Sequence, residues 1–129
     1  MIKDVNHIGI CVKSIDETLA LWSKNYGAEQ VFEKACFPGQ VSCMIRIGSL
    51  NIELMEPNGE GTVSKFIETR GEGLHHISLK SDAYEQDMKQ FSENGLGIIP
   101  AAPDCGFVKP KGNAGVLMEI STGDRGQSV

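Results

Sequence analysis

A strand, a helix and an acid-bearing final strand occur twice in this chain of 129 residues, in the same order. VNHIGICV, residues 5 to 12, alternates: Ile8, Ile10 and Val12 on one side, His7, Gly9 and Cys11 on the other. LHHISLK, residues 74 to 80, does the same, with Ile77 and Leu79 opposite His76, Ser78 and Lys80. His7 and His76 are 69 residues apart, the helix-ending glycines Gly27 and Gly95 are 68 apart, and Glu53 and Glu119 are 66 apart. One such match arises easily by chance. Three in order at a nearly constant offset argue for an internal duplication.

Each copy carries its own helix. In SIDETLALWSKNYG, Ser14 and Glu17 form a capping box, and Ile15, Leu19, Trp22 and Tyr26 recur at helical spacing before Gly27. In DAYEQDMKQFSENG, Asp82 and Glu85 are the expected cap pair, Tyr84, Met88 and Phe91 the apolar stripe, and Gly95 the stop. Strands are predicted at 29–37, 41–47 and 50–56, with turns at Pro38-Gly39 and Gly48-Ser49, and more weakly near 97–100, 106–109 and 116–121. Between the copies, TVSKFIETR reads as a short helix with Val63, Phe66 and Ile67 on one face. The chain divides into module one (1–56), a connector (57–73) and module two (74–129) of one domain.

Composition excludes several roles. The net charge is −5, and no basic face suited to nucleic acid is visible. No apolar run approaches the ~20 residues of a membrane span, and MIKDVNHIGI lacks the features of a signal peptide, so a cytoplasmic location is expected. The four cysteines, Cys11, Cys36, Cys43 and Cys105, include no CxxC pair, and free thiols are expected. Cys11 and Cys43 lie in apolar runs and read as small core residues.

The candidate site comes from parity. His76 alternates with Ile77 and Leu79 and so points away from the helix layer; His75 shares the helix-facing parity and is expected at the strand's edge. Glu53 lies between Ile52 and Leu54, and Glu119 between Met118 and Ile120. A carboxylate between apolar neighbours is costly to bury unless paired or bound to a metal. His7, Glu53, His76 and Glu119 together suit a divalent ion: two neutral imidazoles and two carboxylates balance its charge. Nitrogen and oxygen donors favour Co, Ni, Zn, Mn or Mg, and four protein ligands on an octahedral ion leave two positions open for a substrate.

This layout resembles the vicinal oxygen chelate superfamily over essentially the whole chain, from NHIGICV to GVLMEIS. The resemblance implies an α+β fold of two βαβββ modules in tandem, forming one curled mixed sheet around a metal site, as in glyoxalase. IELMEP, SKFIETRGEGLHHISL and KPKGNAGVLMEIS look most like the methylmalonyl-CoA epimerases of that superfamily, with GEGLHH and the PKxxxGVLxE string the more specific parts. By that pattern the ligands are His7, Glu53, His76 and Glu119, the cofactor is a divalent metal ion, and the partner is an acyl-CoA thioester. Glu119 is the expected base, with Glu53 the second acid/base group, and the thiol of Cys43 or a water at Ser42 as weaker options. Lys109 and Lys111, with the backbone N–H groups of the loop 109–115, are candidates for the coenzyme A phosphates. The chain departs from the pattern in reading Lys109-Pro110-Lys111 where the epimerases usually read HPK, and in having Ser42 where some members carry a further glutamate. The resemblance also implies a homodimer. The alternatives are a lactoylglutathione lyase (glyoxalase I), which shares the ligand set, and a non-catalytic small-ligand or drug-binding protein of the same fold.

Overall fold

The computed structural model describes residues 1–123. They form nine strands and three helices: β1 (Ile2–Cys11), α1 (Ile15–Tyr26), β2 (Glu29–Gln30), β3 (Ala35–Phe37), β4 (Gly39–Ile47), β5 (Leu50–Asn58), α2 (Thr62–Arg70), β6 (Gly73–Ser81), α3 (Tyr84–Glu93), β7 (Ile98–Ala102), β8 (Cys105–Val108) and β9 (Met118–Ser121). The chain divides into two compact units, one of residues Ile8–His75 and one joining Met1–His7 to the chain from His76 on. β1 is thus shared between them.

In the unit of residues 8–75 the strand order is β2-β4-β5-β1, with β3 also on β4. β1 runs parallel to β5, with Gly9 opposite Glu53, and β4 and β5 form a long hairpin in which Met44 faces Glu53. Two apolar clusters cover the two faces. Val12, Ile15, Ala28, Cys43, Ile45, Ile52 and Leu54 pack under α1 with Ile10, Leu19 and Trp22. Cys11, Met55 and Val63 pack on the other side with Phe66 and Ile67 of α2. The Ser14 hydroxyl accepts from the Glu17 N–H, and Gly27 closes α1 in the left-handed conformation at φ 71°. Glu56 on β5 reaches the same helix start, where its carboxylate accepts from the Ile15 N–H at 2.7 Å. Tyr26, expected on the apolar stripe, is exposed, because the last turn of α1 runs past the edge of the cluster.

The single strand expected over 29–37 is two. Gln30 pairs with Ile45, but Ala35 pairs with Ser42, so two surplus residues are pushed out between β2 and β3. The displaced stretch places Lys34 against Asp16 at 2.6 Å, an ion pair that holds its ammonium group's pKa above the ordinary value.

The other unit repeats the plan. β6 runs parallel to β9, with Ser78 opposite Glu119, and the order continues to β8 and β7 by antiparallel pairs. The start of β1 lies beside the end of β6, where the Asp82 N–H donates to the Met1 carbonyl. Met88 of α3 packs with Val108 and Ile120, flanked by Leu79, Tyr84 and Phe91. The cap of α3 is not the expected one. Asp82 lies one residue before the N-cap, Ala83, and its side chain turns to the amino group of Met1. Ser81 sits beside the helix start, where its hydroxyl accepts from the Ala83 N–H at 3.0 Å and donates to Asp87 at 2.6 Å.

Close packing at β8 leaves no room at Gly106, where a Cβ would lie 2.5 Å from the Tyr84 hydroxyl and 3.0 Å from the Ile99 carbonyl. Gly106→Ala is expected to lower the urea-unfolding free energy by about 1–3 kcal/mol. Burial, with a smaller push from the Glu53 carboxylate, raises the Cys11 thiol from its ordinary 9.0 to about 11. The native state then holds a neutral thiol that the unfolded chain would ionise, so this contribution is full below pH 9 and is lost as pH rises towards 11. Urea midpoints measured across that window should fall more steeply for the wild type than for Cys11→Ala.

Candidate metal centre

Three of the expected ligands converge within the unit that joins Met1–His7 to the second half. The donor atoms of His7, His76 and Glu119 all lie within 4.8 Å of one another. His7 Nε2 and His76 Nε2 are 3.2 Å apart, and His7 Nε2 is 3.6 Å from Glu119 Oε1. Two donors sharing one ion through bonds of about 2.0–2.1 Å can stand no further apart than their sum, and both separations meet that bound. The rings meet edge to face, with centroids 5.3 Å apart.

The donors are held by their strands. His7 is 1% exposed, and its Nδ1 lies 2.7 Å from Asn6 Oδ1. An amide oxygen only accepts, so Nδ1 carries the proton and the Nε2 lone pair is left for a ligand. His76 and Ser78 share one face of β6, and the Ser78 hydroxyl donates to Glu119 Oε1 at 2.7 Å. The Cys105 thiol, on β8, donates to Glu119 Oε2 at 3.7 Å. Two imidazoles, one with its tautomer fixed, and one oriented carboxylate form a nitrogen–oxygen donor set that fits a divalent ion.

The remaining candidates lie as follows. Glu53 belongs to the unit of residues 8–75, where it is buried on the face of β5 shared with Cys11 and Met55. His75 packs edge-on against Phe66 of α2, with centroids 5.1 Å apart, a contact that occupies the ring in that unit's packing. Cys43 is corrected as an acid/base option: it faces the α1 core with Ile45 and Leu54, on the side of β4 away from Glu53, and burial raises its thiol's pKa. Ser42 is buried and accepts from Gln40 Nε2 at 2.9 Å. Lys109 and Lys111 are exposed at the two ends of Pro110. The loop between β8 and β9 is not the open cradle expected of it. Its N–H groups at Asn113 and Gly115 turn inward to the Pro110 carbonyl, and that of Val116 to Asn113. Arg46 is engaged with Asn51, and Arg70 lies over the Phe66 ring at 5.7 Å.

Sequence reasoning missed Asn6, Ser78 and Cys105 as partners of the donors. Ser78 was visible as the residue on the His76 side of the alternation. Cys105 was invisible, because its contact depends on how β8 registers with β9.

A family profile described as the glyoxalase/bleomycin resistance protein/dioxygenase superfamily matches residues 6–110. The chain belongs to that superfamily. Its sheet-and-helix architecture is the mixed α+β glyoxalase-like one. It is 27% identical over 125 residues to the uncharacterised protein YqjC of Bacillus subtilis, covering 90% of this chain and 89% of that one. It is 27% identical over 127 residues to the mitochondrial methylmalonyl-CoA epimerase of Dictyostelium discoideum, covering 90% and 76%. The solved methylmalonyl-CoA epimerase of Streptomyces coelicolor, in complex with 2-nitronate-propionyl-CoA, is similar at TM-score 0.82 and 26% identity, covering 93% of this chain and 96% of that one. Among the described residues, no helix is long and apolar enough to cross a membrane.

Isothermal titration of the apoprotein with Co²⁺ or Zn²⁺ checks the centre. His7→Ala, His76→Ala and Glu119→Ala are expected to weaken binding by more than the 10–100-fold typical of losing an outer partner. His75→Ala should leave the affinity within about threefold of wild type, a difference of less than the 1.4 kcal/mol that a factor of ten represents.

Proposed function

We propose that this chain is an isomerase of the methylmalonyl-CoA epimerase type, interconverting the (2R) and (2S) forms of a 2-substituted malonyl-CoA. The observation that carries the reading is the convergence of the buried His7 and His76 with the half-buried Glu119. The epimerases among its relatives support it, as does the acyl-CoA analogue held by the Streptomyces enzyme.

The reaction's difficulty is a proton on a carbon between two carbonyl groups. His7, His76 and Glu119 would hold a divalent ion: Co, Ni, Zn or Mn. When bound, that ion supplies Lewis acidity to the thioester carbonyl oxygen, where charge gathers as the proton leaves. The other parts of the reaction fall to the chain's own groups. A carboxylate takes the proton from C2; the electron pair of the C–H bond moves into the C1–C2 bond, and the carbonyl oxygen takes the charge. A carboxyl group on the opposite face returns a proton to C2, giving the other epimer with no net change in composition. Glu119 is the proposed base and Glu53 the second acid/base group. Ser78 and Cys105 keep Glu119 directed at the His pair. Lys109 and Lys111, exposed and flexible in their stems, are the proposed partners of the coenzyme A phosphates, acting as point charges.

Proton exchange in D₂O tests this. Protein loaded in turn with Co²⁺, Ni²⁺ and Zn²⁺ and mixed with (2R)- or (2S)-methylmalonyl-CoA should incorporate deuterium at C2 and form the other epimer, faster than the metal-stripped protein does. Glu119→Gln and Glu53→Gln should each slow exchange by about 10²–10⁴-fold, the usual worth of a positioned acid or base. Turnover of the methylglyoxal–glutathione hemithioacetal without exchange on the thioester would replace the epimerase with a glyoxalase.

A further inference from the structure

The two halves of the duplication place the same register beneath each glutamate. In β1 and β5, Gly9, two residues after His7, lies opposite Glu53. In β6 and β9, Ser78, two residues after His76, lies opposite Glu119. The equivalent position therefore carries no side chain in one half and a hydroxyl in the other. That hydroxyl is 0% exposed, and it donates at 2.7 Å to Oε1 of Glu119, the same oxygen that stands 3.6 Å from His7 Nε2. The second oxygen is met from the opposite neighbour strand, where the buried Cys105 thiol lies 3.7 Å from Oε2. The donors come from β6 and β8, the two strands that flank β9.

We propose that Ser78 and Cys105 are positioning residues that clamp the Glu119 carboxylate between them and thereby set the affinity and geometry of the metal centre. A glutamate side chain on a strand has three rotatable bonds before its carboxylate. One donor on each oxygen removes both the swing of the chain and the rotation of the head group. Serine is the stronger donor of the pair, and the thiol the weaker. Gly9, at the position equivalent to Ser78, has no side chain to offer Glu53. The two carboxylates of the duplicated plan are thus unequal: one held on both oxygens by its own unit, the other without the equivalent hydroxyl. This inference rests on the metal reading of the site but not on the substrate.

The test uses the full chain loaded with Co²⁺, whose visible absorption reports ligand geometry, with affinity read by chelator competition. Ser78→Ala should weaken Co²⁺ binding by about 10–100-fold and shift the visible band. Ser78→Cys, which restores a weak donor, should fall between wild type and Ser78→Ala. A merely steric role would order the three by volume instead, with cysteine the most disruptive. Cys105→Ser should bind at least as tightly as wild type, and Cys105→Val should bind more weakly than either. Wild-type affinity and spectrum in Ser78→Ala would overturn the proposal, as would Ser78→Cys binding no better than Ser78→Ala. Wild-type protein that takes up no Co²⁺ would remove the metal reading itself, an outcome seen before any variant is made.

Discussion

Two buried imidazoles and a half-buried carboxylate meet at one point, and groups of this kind leave water only when something else satisfies them. Burying a carboxylate without partners costs far more than the few kcal/mol by which a small domain is stable. Here Asn6 anchors His7, and Ser78 and Cys105 anchor Glu119. The anchors in turn depend on strand register. A slip of β9 by one residue against β6 would turn Glu119 to the face opposite Ser78 and bring Ile120 into the polar pocket in its place. The apolar cluster under α3 opposes such a slip, because Leu79, Val108 and Ile120 must stay on the helix side. Core and site are alternate residues of the same strands, and the packing of one holds the geometry of the other.

Much of this was legible from alternation. Ile8 and Ile10, Ile77 and Leu79, and the apolar neighbours of Glu53 and Glu119 define which side of each strand faces a helix. The separation of His76 from His75 follows from the same period of two, and the structure has His76 against His7 while His75 packs on Phe66. TVSKFIETR is helical over Thr62–Arg70, the full predicted stretch, since its three apolar residues fall on one face and glycines flank it.

What was not legible depends on contacts distant in sequence. The bulge between β2 and β3 arises from a register fixed by β4, which local propensity does not contain. Asp82 looked like a cap because Asp favours that position, yet Ala83 is the N-cap and Asp82 pairs with the amino group of Met1. Cys43 as an acid/base option required knowing which face of β4 meets α1. Cys105 entered the site only through the pairing of β8 with β9. The inward-turned loop 109–115 carried lysines and glycines suggestive of an anion cradle, but Asn113 and Pro110 use its backbone groups first.

The division of β1 has a consequence for how the chain comes into being. Its residues up to His7 belong with the second half of the sequence, and those from Ile8 on with the first. During synthesis, Ile8–Cys11 can pair with β5 once residue 55 has emerged, while His7 must wait for His76 and then Glu119. At roughly 5–20 residues per second, that delay is seconds long. Until it ends, a nascent chain carries the His7 imidazole without either His76 or Glu119 to meet it. A protein released early, or a fragment ending after the connector, would keep most of one hydrophobic core and have no assembled centre at all.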